Sequence, residues 1–264
     1  MKLDTDKMIA EKDGHIGWMI FNNPARRNAM SLEMWTAAAT ILDDFERDDN
    51  IRVIVMKGAG DKAFVSGADI SQFEEKRANA EAAEEYSRQS DAARDRMASL
   101  KKPFVAMIRG FCLGGGLGVA MKADLRIASD DSQFGIPAAR LSIAYTFDNL
   151  RNLVDLVGPT VAKELLFTAK RINAQEALRI GLVNQVVPAS ELESTVRELA
   201  GTMADNAPLS IRASKLTINE VIKDPADRNW DVINQVTKDC FDSQDYAEGR
   251  KAFMEKRRPV FTGR

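Results

Sequence analysis

Two short glycine-bearing segments, each placed where a strand run gives way to a helical pattern, constrain this chain more than any other feature. The first is Ala63-Phe64-Val65-Ser66-Gly67-Ala68-Asp69-Ile70, downstream of Val53-Ile54-Val55-Met56. The second is Gly110-Phe111-Cys112-Leu113-Gly114-Gly115-Gly116-Leu117-Gly118, downstream of Phe104-Val105-Ala106-Met107-Ile108. Unbroken apolar runs of this length, rich in valine, isoleucine and phenylalanine, read as buried strands. Glycine lacks the Cβ that keeps a ligand away from the main chain, so two such turns can aim backbone N–H groups at one oxygen. A helix starting at the triple glycine adds the positive end of its dipole to the same point. The pattern is that of an oxyanion hole.

Around these turns the chain alternates strand and helix. Ile16-Gly17-Trp18-Met19-Ile20-Phe21 reads as a strand entered through a hairpin turn at Lys12-Asp13-Gly14-His15. Ser31 is placed to cap a helix whose Leu32, Trp35, Ala39, Leu42 and Phe45 share one face. Residues 71–102 are dense in charge and alanine, with Tyr86, Met97 and Leu100 as sparse anchors, the composition of a solvated helix face or a wall of a pocket. A further helix is expected from about Thr160, where Ala162, Leu165, Leu166 and Ala169 are helically spaced, followed by a cap at Gly181 and a strand over 183–187. Beyond Pro188 the pattern is helical to Lys256.

Composition narrows the function classes. A chain of 264 residues can bury one large core. With 37 basic and 39 acidic residues the formal net charge is -2, so no field favours nucleic acid or an anionic membrane. Two cysteines, Cys112 and Cys240, give no disulfide framework, no apolar run is long enough to span a bilayer, and Met1-Lys2-Leu3-Asp4 carries no signal pattern; a cytoplasmic protein is expected. The single histidine, His15, sits in the hairpin turn, which leaves little for a Ser-His-Asp triad or a histidine metal site.

Five ordered segments together carry a resemblance. They are Asn22-Asn23-Pro24-Ala25-Arg26-Arg27-Asn28-Ala29-Met30, the first glycine turn, Gly114-Gly115-Gly116, Ala123-Asp124-Leu125-Arg126-Ile127-Ala128, and Phe253-Met254-Glu255-Lys256-Arg257-Arg258-Pro259-Val260-Phe261-Thr262-Gly263. In these the chain resembles the crotonase (enoyl-CoA hydratase/isomerase) superfamily from its first strands to its last residues. The resemblance implies an α/β fold, a crotonase-like spiral of repeated ββα units over 1–198, with a C-terminal helical region over 199–264 that builds a homotrimer or homohexamer and closes the pocket. It implies an acyl-CoA thioester as ligand, coenzyme A entering with the substrate, and neither metal nor further cofactor. The oxyanion donors are the N–H groups of Ala68 and Gly115. Coenzyme A is expected against the Ala63, Asp69 and Ile70 turn, with Arg26, Arg27 and Lys256 near phosphates and Phe253 over the adenine.

The same resemblance marks a departure. Hydratases of the family carry one glutamate three residues after the middle glycine and another just after the Phe-Gly-x-Pro strand. Here those positions hold Gly118 and Ala138, and a third acidic position used by isomerases and dehalogenases holds Thr146. None of the three can serve as a carboxylate base. Tyr145 falls where methylmalonyl-CoA decarboxylases of the family carry a tyrosine, although those proteins have histidine at the position of Ala68. Tyr145, Asp148 or bound water then becomes the candidate acid/base for a lyase or isomerase. Decarboxylation of a malonyl-type thioester, which needs no base, is an alternative, and a non-catalytic acyl-CoA-binding or scaffold protein is another.

Overall fold

In the computed structural model, which describes residues 1, 3–69 and 80–264, the strands from the third to the eighth are dealt alternately to two sheets. β1 (Met8–Asp13) and β2 (Ile16–Phe21) form the antiparallel hairpin that the Gly14 turn requires. From there β3 (Val53–Gly58), β5 (Phe104–Ile108), β7 (Leu125–Ser129) and β10 (Gln185–Val187) extend a six-stranded sheet in the order β1-β2-β3-β5-β7-β10, parallel from β2 onward. β4 (Ala63–Val65), β6 (Phe111–Leu113), β8 (Gln133–Gly135) and β9 (Arg171–Asn173) form the second sheet in the order β4-β6-β8-β9. From β3 to β8 each repeat thus gives one strand to each sheet and then a helix. The expected spiral of ββα units is present.

Both faces of the larger sheet are buried, which is why its strands read as continuous apolar runs. Side chains alternate along β3, and Ile54 and Met56 enter one core while Val53 and Val55 enter the other. The first core holds α1 (Leu32–Arg47), with Trp35, Ile41, Leu42 and Phe45 inward, and it also takes Met97 and Leu100 at the end of α2 (Ala80–Ser99). Ser31 does occupy the cap position of α1, but it is buried and its hydroxyl makes no capping bond. The second core is closed by α6 (Leu192–Asp205), whose Leu192, Val196, Ala200 and Ala204 recur at helical spacing. The expected boundary at 198/199 therefore falls inside a helix whose apolar stripe belongs to the core sheet.

The helix expected from Thr160 starts earlier. The three helices that follow the second glycine turn are α3 (Gly115–Ala120), α4 (Phe147–Thr168) and α5 (Ala174–Arg179). α4 is broken at Gly158, immediately before Pro159. A proline removes one helical N–H and disfavours helical geometry in the residue before it, so the sequence signal of a start is a kink between two halves. The strand expected over 183–187 is confined to β10, with Leu182 and Val183 buried in the core ahead of it. Past Pro188 the described chain is helical as expected, in α6, α7 (Pro208–Val221), α8 (Trp230–Phe241) and α9 (Gln244–Glu255).

Candidate active site

The first turn is shaped by what its neighbours take from it. Met30 forms an isolated parallel bridge to Ala68, with the Met30 N–H donating to the Gly67 carbonyl at 2.8 Å and the Asp69 N–H donating to the Met30 carbonyl at 2.9 Å. Successive peptide groups of an extended segment point to opposite sides, so the Ala68 N–H faces away from Met30. The loop that carries Met30 is itself pinned by Asn28. This buried side chain donates to the carbonyls of Ala63 (2.7 Å) and Ala59 (3.0 Å) and accepts from the Asn23 N–H (2.9 Å). The Asn22 to Met30 segment thus has a physical role: it fixes the strand end from which Ala68 projects.

The second turn brings Gly115 to the same place. Gly114 has φ 52°, a region a side chain rarely enters, and its N–H donates to the Gly135 carbonyl at 2.8 Å. Gly116 is required by close approach, because a Cβ there would stand 2.0 Å from the Val65 carbonyl oxygen. These two constraints seat α3 directly on β4. A Cβ on Gly115 would lie 3.7 Å from the Ala68 nitrogen, so the two amides are neighbours. As the first residue of its helix, Gly115 has no intrahelical acceptor for its N–H. Among the described residues neither amide has a partner.

Among the described residues, the surroundings are neutral or basic. A Cβ on Gly118 would meet the Asn149 Oδ1 at 3.2 Å and the Tyr145 Oη at 3.4 Å, so these two groups fill the space into which a longer residue at 118 would project. Tyr145 Oη donates to the Gly114 carbonyl at 3.0 Å, and Asn149 Nδ2 donates to the Thr146 hydroxyl at 2.9 Å. Burial pushes the Tyr145 phenol well above its ordinary pKa, Cys112 adds to the rise and Arg94 opposes it. The phenol therefore keeps its proton. Burial likewise raises the Cys112 thiol, which leaves it inert. A small cleft of about 30 Å3 is lined by Trp35, Arg94, Gly115, Gly118, Lys122 and Asn149, among others. No carboxylate lines it among the described residues. Ala138 lies in a short helical turn (Pro137–Arg140), packed against the first core.

The expected site residues divide accordingly. Ala68, Gly115 and Tyr145 are brought together. Asp148 is an exposed residue in the first turn of α4 and does not line the cleft; its neighbour Asn149 does, and was not anticipated. Ala63 is buried in β4 with its carbonyl taken by Asn28. Asp69 is buried and paired with Arg26, Nη1 to Oδ1 3.1 Å. Arg27 lies over the Phe111 ring at 5.1 Å, and Arg171 stands over the same ring at 5.5 Å, a second unanticipated residue. Ile70 lies outside the described residues, as does the Tyr86 side chain. Phe253 lies in the last turn of α9 and the exposed Lys256 caps that helix. Phe253 lines a groove of about 580 Å3 with Phe241, Tyr246 and Phe261, none of which belongs to the oxyanion turns.

The sequence model for Enoyl-CoA hydratase/isomerase matches residues 11–264. The chain belongs to the enoyl-CoA hydratase/isomerase family. It is 36% identical over 256 residues to the short-chain-enoyl-CoA hydratase of Clostridium acetobutylicum, covering 97% of each chain. It is also 36% identical to the crotonyl-CoA hydratase of Syntrophomonas wolfei, covering 97% of this chain and 98% of that one. Among solved structures, an enoyl-CoA hydratase/carnithine racemase from Magnetospirillum magneticum superposes with a TM-score of 0.94 at 34% identity, over 99% of this chain and 97% of that one. The enoyl-CoA hydratase/isomerase family thus supplies both the fold and the frame in which the glycine turns are read. No helix among the described residues is long and apolar enough to cross a membrane, and no cluster of three metal-ligating side chains occurs among them.

Proposed function

We propose that this chain is an acyl-CoA enzyme that binds a thioester carbonyl oxygen between the N–H groups of Ala68 and Gly115 and stabilises the enolate that follows. The single observation that carries this reading is the adjacency of two unpartnered amides, 3.7 Å from one nitrogen to the Cβ position of the other residue. Polarising the carbonyl acidifies the α-carbon and makes the β-carbon of an enoyl group electrophilic; such donors act strongly because they are fixed before charge develops. Hydration through two glutamates is not supported, since Gly118 is filled over by Tyr145 and Asn149 and Ala138 has no ionisable group. The proton steps of a lyase or isomerase here fall to bound water.

A second reading is favoured by the charge around the small cleft. Arg94, which also pairs with Asp91 at 2.8 Å, and Lys122 stand on it with no opposing carboxylate among the described residues. Such a setting suits a malonyl-type acyl group. In decarboxylation the bond between the α-carbon and the carboxylate breaks, CO2 leaves, its electron pair forms the enolate, and a proton from water restores the α-carbon. Coenzyme A enters as part of the substrate, no cofactor is needed for this chemistry, and Arg27 with Arg171 offers coenzyme A a cationic contact. Incubation with crotonyl-CoA, a 3-enoyl-CoA and methylmalonyl-CoA, each followed by mass spectrometry, separates the readings. Binding without turnover of any of them would favour a non-catalytic acyl-CoA-binding protein.

A further inference from the structure

Tyr145 stands one peptide group behind the proposed oxyanion site. Its hydroxyl donates to the Gly114 carbonyl at 3.0 Å. That carbonyl and the Gly115 N–H are the two ends of a single planar peptide unit. Whatever fixes the oxygen therefore fixes the direction of the opposite N–H. The same oxygen accepts the Gly118 N–H at 3.1 Å, so both of its lone pairs are engaged. Hydrogen bonds in series polarise one another, and an amide whose carbonyl is doubly bonded is a better donor at its nitrogen.

The local backbone explains why such a hold is needed. Gly114, at φ 52° and ψ -122°, and Gly115 have no side chains to restrict the peptide between them, and the helix that follows, α3, is only six residues long. On the upstream side the Gly114 N–H is fixed by Gly135, but that bond lies across the rotatable bonds of Gly114. Tyr145 is the side chain that grips the 114–115 peptide itself. Its one hydroxyl proton is committed to this carbonyl, and burial keeps that proton in place. The absence of a side chain at Gly118 leaves the passage through which the phenol reaches Gly114.

We propose that Tyr145 is a positioning residue of the oxyanion hole: its hydroxyl orients and polarises the Gly114–Gly115 peptide, so that the Gly115 N–H is aimed at the thioester oxygen without Tyr145 touching the substrate. This rests on the reading that the Ala68 and Gly115 amides receive that oxygen. It differs from the expectation that the hydroxyl faces the reacting group.

The test is isotope-edited infrared difference spectroscopy of acetyl-CoA labelled with 13C at the carbonyl, bound to the wild-type protein, to Tyr145→Phe and to Gly115→Pro. Proline is tolerated at the first position of a helix, so the last variant removes the donor while leaving α3 able to form. Wild type is expected to lower the carbonyl stretching frequency relative to free acetyl-CoA, Gly115→Pro to lose most of that downshift, and Tyr145→Phe to lose a distinct part of it. Affinity for coenzyme A and the thermal midpoint of Tyr145→Phe should stay close to wild type. A downshift that Gly115→Pro abolishes but Tyr145→Phe retains in full overturns the positioning role alone. No downshift in wild type, or one that Gly115→Pro leaves intact, overturns the oxyanion reading and the positioning role with it. If Gly115→Pro does not fold, Gly115→Ala serves as the second variant.

Discussion

The Ala68 amide nitrogen lies 3.7 Å from the point where a Cβ on Gly115 would stand, and among the described residues outside its own helix and chain neighbours only the Gly67 carbonyl carbon also comes within 4 Å of that point. Position 115 therefore has room for a methyl group as far as folding is concerned. Under the proposed function, the same room receives the thioester oxygen.

Gly115→Ala should separate stability from activity. The residue is helical, its φ is not positive, and alanine in a helix is favoured over glycine by up to ~1 kcal/mol, so the thermal midpoint should hold or rise. The methyl displaces the substrate carbonyl from both donors, and a misplacement on the order of 1 Å can cost roughly 10²-fold in rate. Denaturation curves and turnover of whichever thioester proves reactive check the two halves. A loss of stability matching the loss of activity would show that the glycine is needed for the fold.

Crotonyl-CoA hydration should be far below that of a two-glutamate enzyme, since general acid/base groups contribute ~10²–10⁴-fold. The geometry adds a condition to any rescue. Gly118→Glu with Ala138→Glu should stay inactive while Asn149 Oδ1 and Tyr145 Oη hold the space beside residue 118, and should gain hydration only when Asn149→Ala is added. Robust hydration by the unaltered chain, followed by ultraviolet absorbance of the enoyl thioester, would contradict this.

The C-terminal tail should loosen in acid. Glu248 receives both Nη groups of Arg257, at 2.6 and 2.9 Å, and the Val260 N–H at 3.0 Å. The Arg257 guanidinium first, and the Val260 amide second, hold its carboxyl down to about 2 from an ordinary 4.5. The folded value is depressed, so the contribution is complete above pH 4.5 and is lost as pH falls toward 2. Amide exchange at Val260, corrected for its intrinsic rate, should accelerate over that window, and Glu248→Gln should accelerate it at neutral pH. Unchanged protection in both cases would show that Asp245, which receives the Thr262 and Gly263 N–H groups, holds the tail alone.

Self-assembly is expected from the exposed apolar side chains of α7 to α9. Ile218 and Val221 on α7, Ile222 at its C-terminal cap, Trp230 and Phe241 on α8, and Phe253 and Met254 on α9 are each more than half exposed in the single chain. Exposed apolar side chains that form one contiguous surface mark protein–protein contacts. Sedimentation velocity at micromolar concentration should give a trimer or hexamer, with Phe253→Asp shifting it toward smaller species. A monomer for the unaltered protein would refute it.

How far the sequence could be read follows from the range of the interactions involved. The glycine turns were legible because their geometry is local: Gly114 needs its positive φ and Gly116 its closeness to Val65, and both demands are written in residue type. The strands were legible because two-sided burial leaves an unbroken apolar run. The start of α4 was not, because Pro159 marks a break and a start alike. Asp148 and Asn149 differ by one position, which on a helix is a rotation of about 100°. That rotation decides which residue lines the cleft. The bond from Tyr145 to Gly114 joins a side chain to a backbone carbonyl 31 residues away, and no periodicity or residue type announces it. The pairing of Arg171 with Arg27 across Phe111 depends on the antiparallel register of β9 against β8, which only the assembled sheet sets.

The account stands most directly on where a thioester oxygen sits. A crystal structure of the protein with bound acetyl-CoA places the acyl group unambiguously. The account predicts the carbonyl oxygen of acetyl-CoA within hydrogen-bond distance, ~2.7–3.2 Å, of both the Ala68 and Gly115 nitrogens, with Tyr145 still on the Gly114 carbonyl. An acetyl-CoA carbonyl bound away from either amide would contradict it.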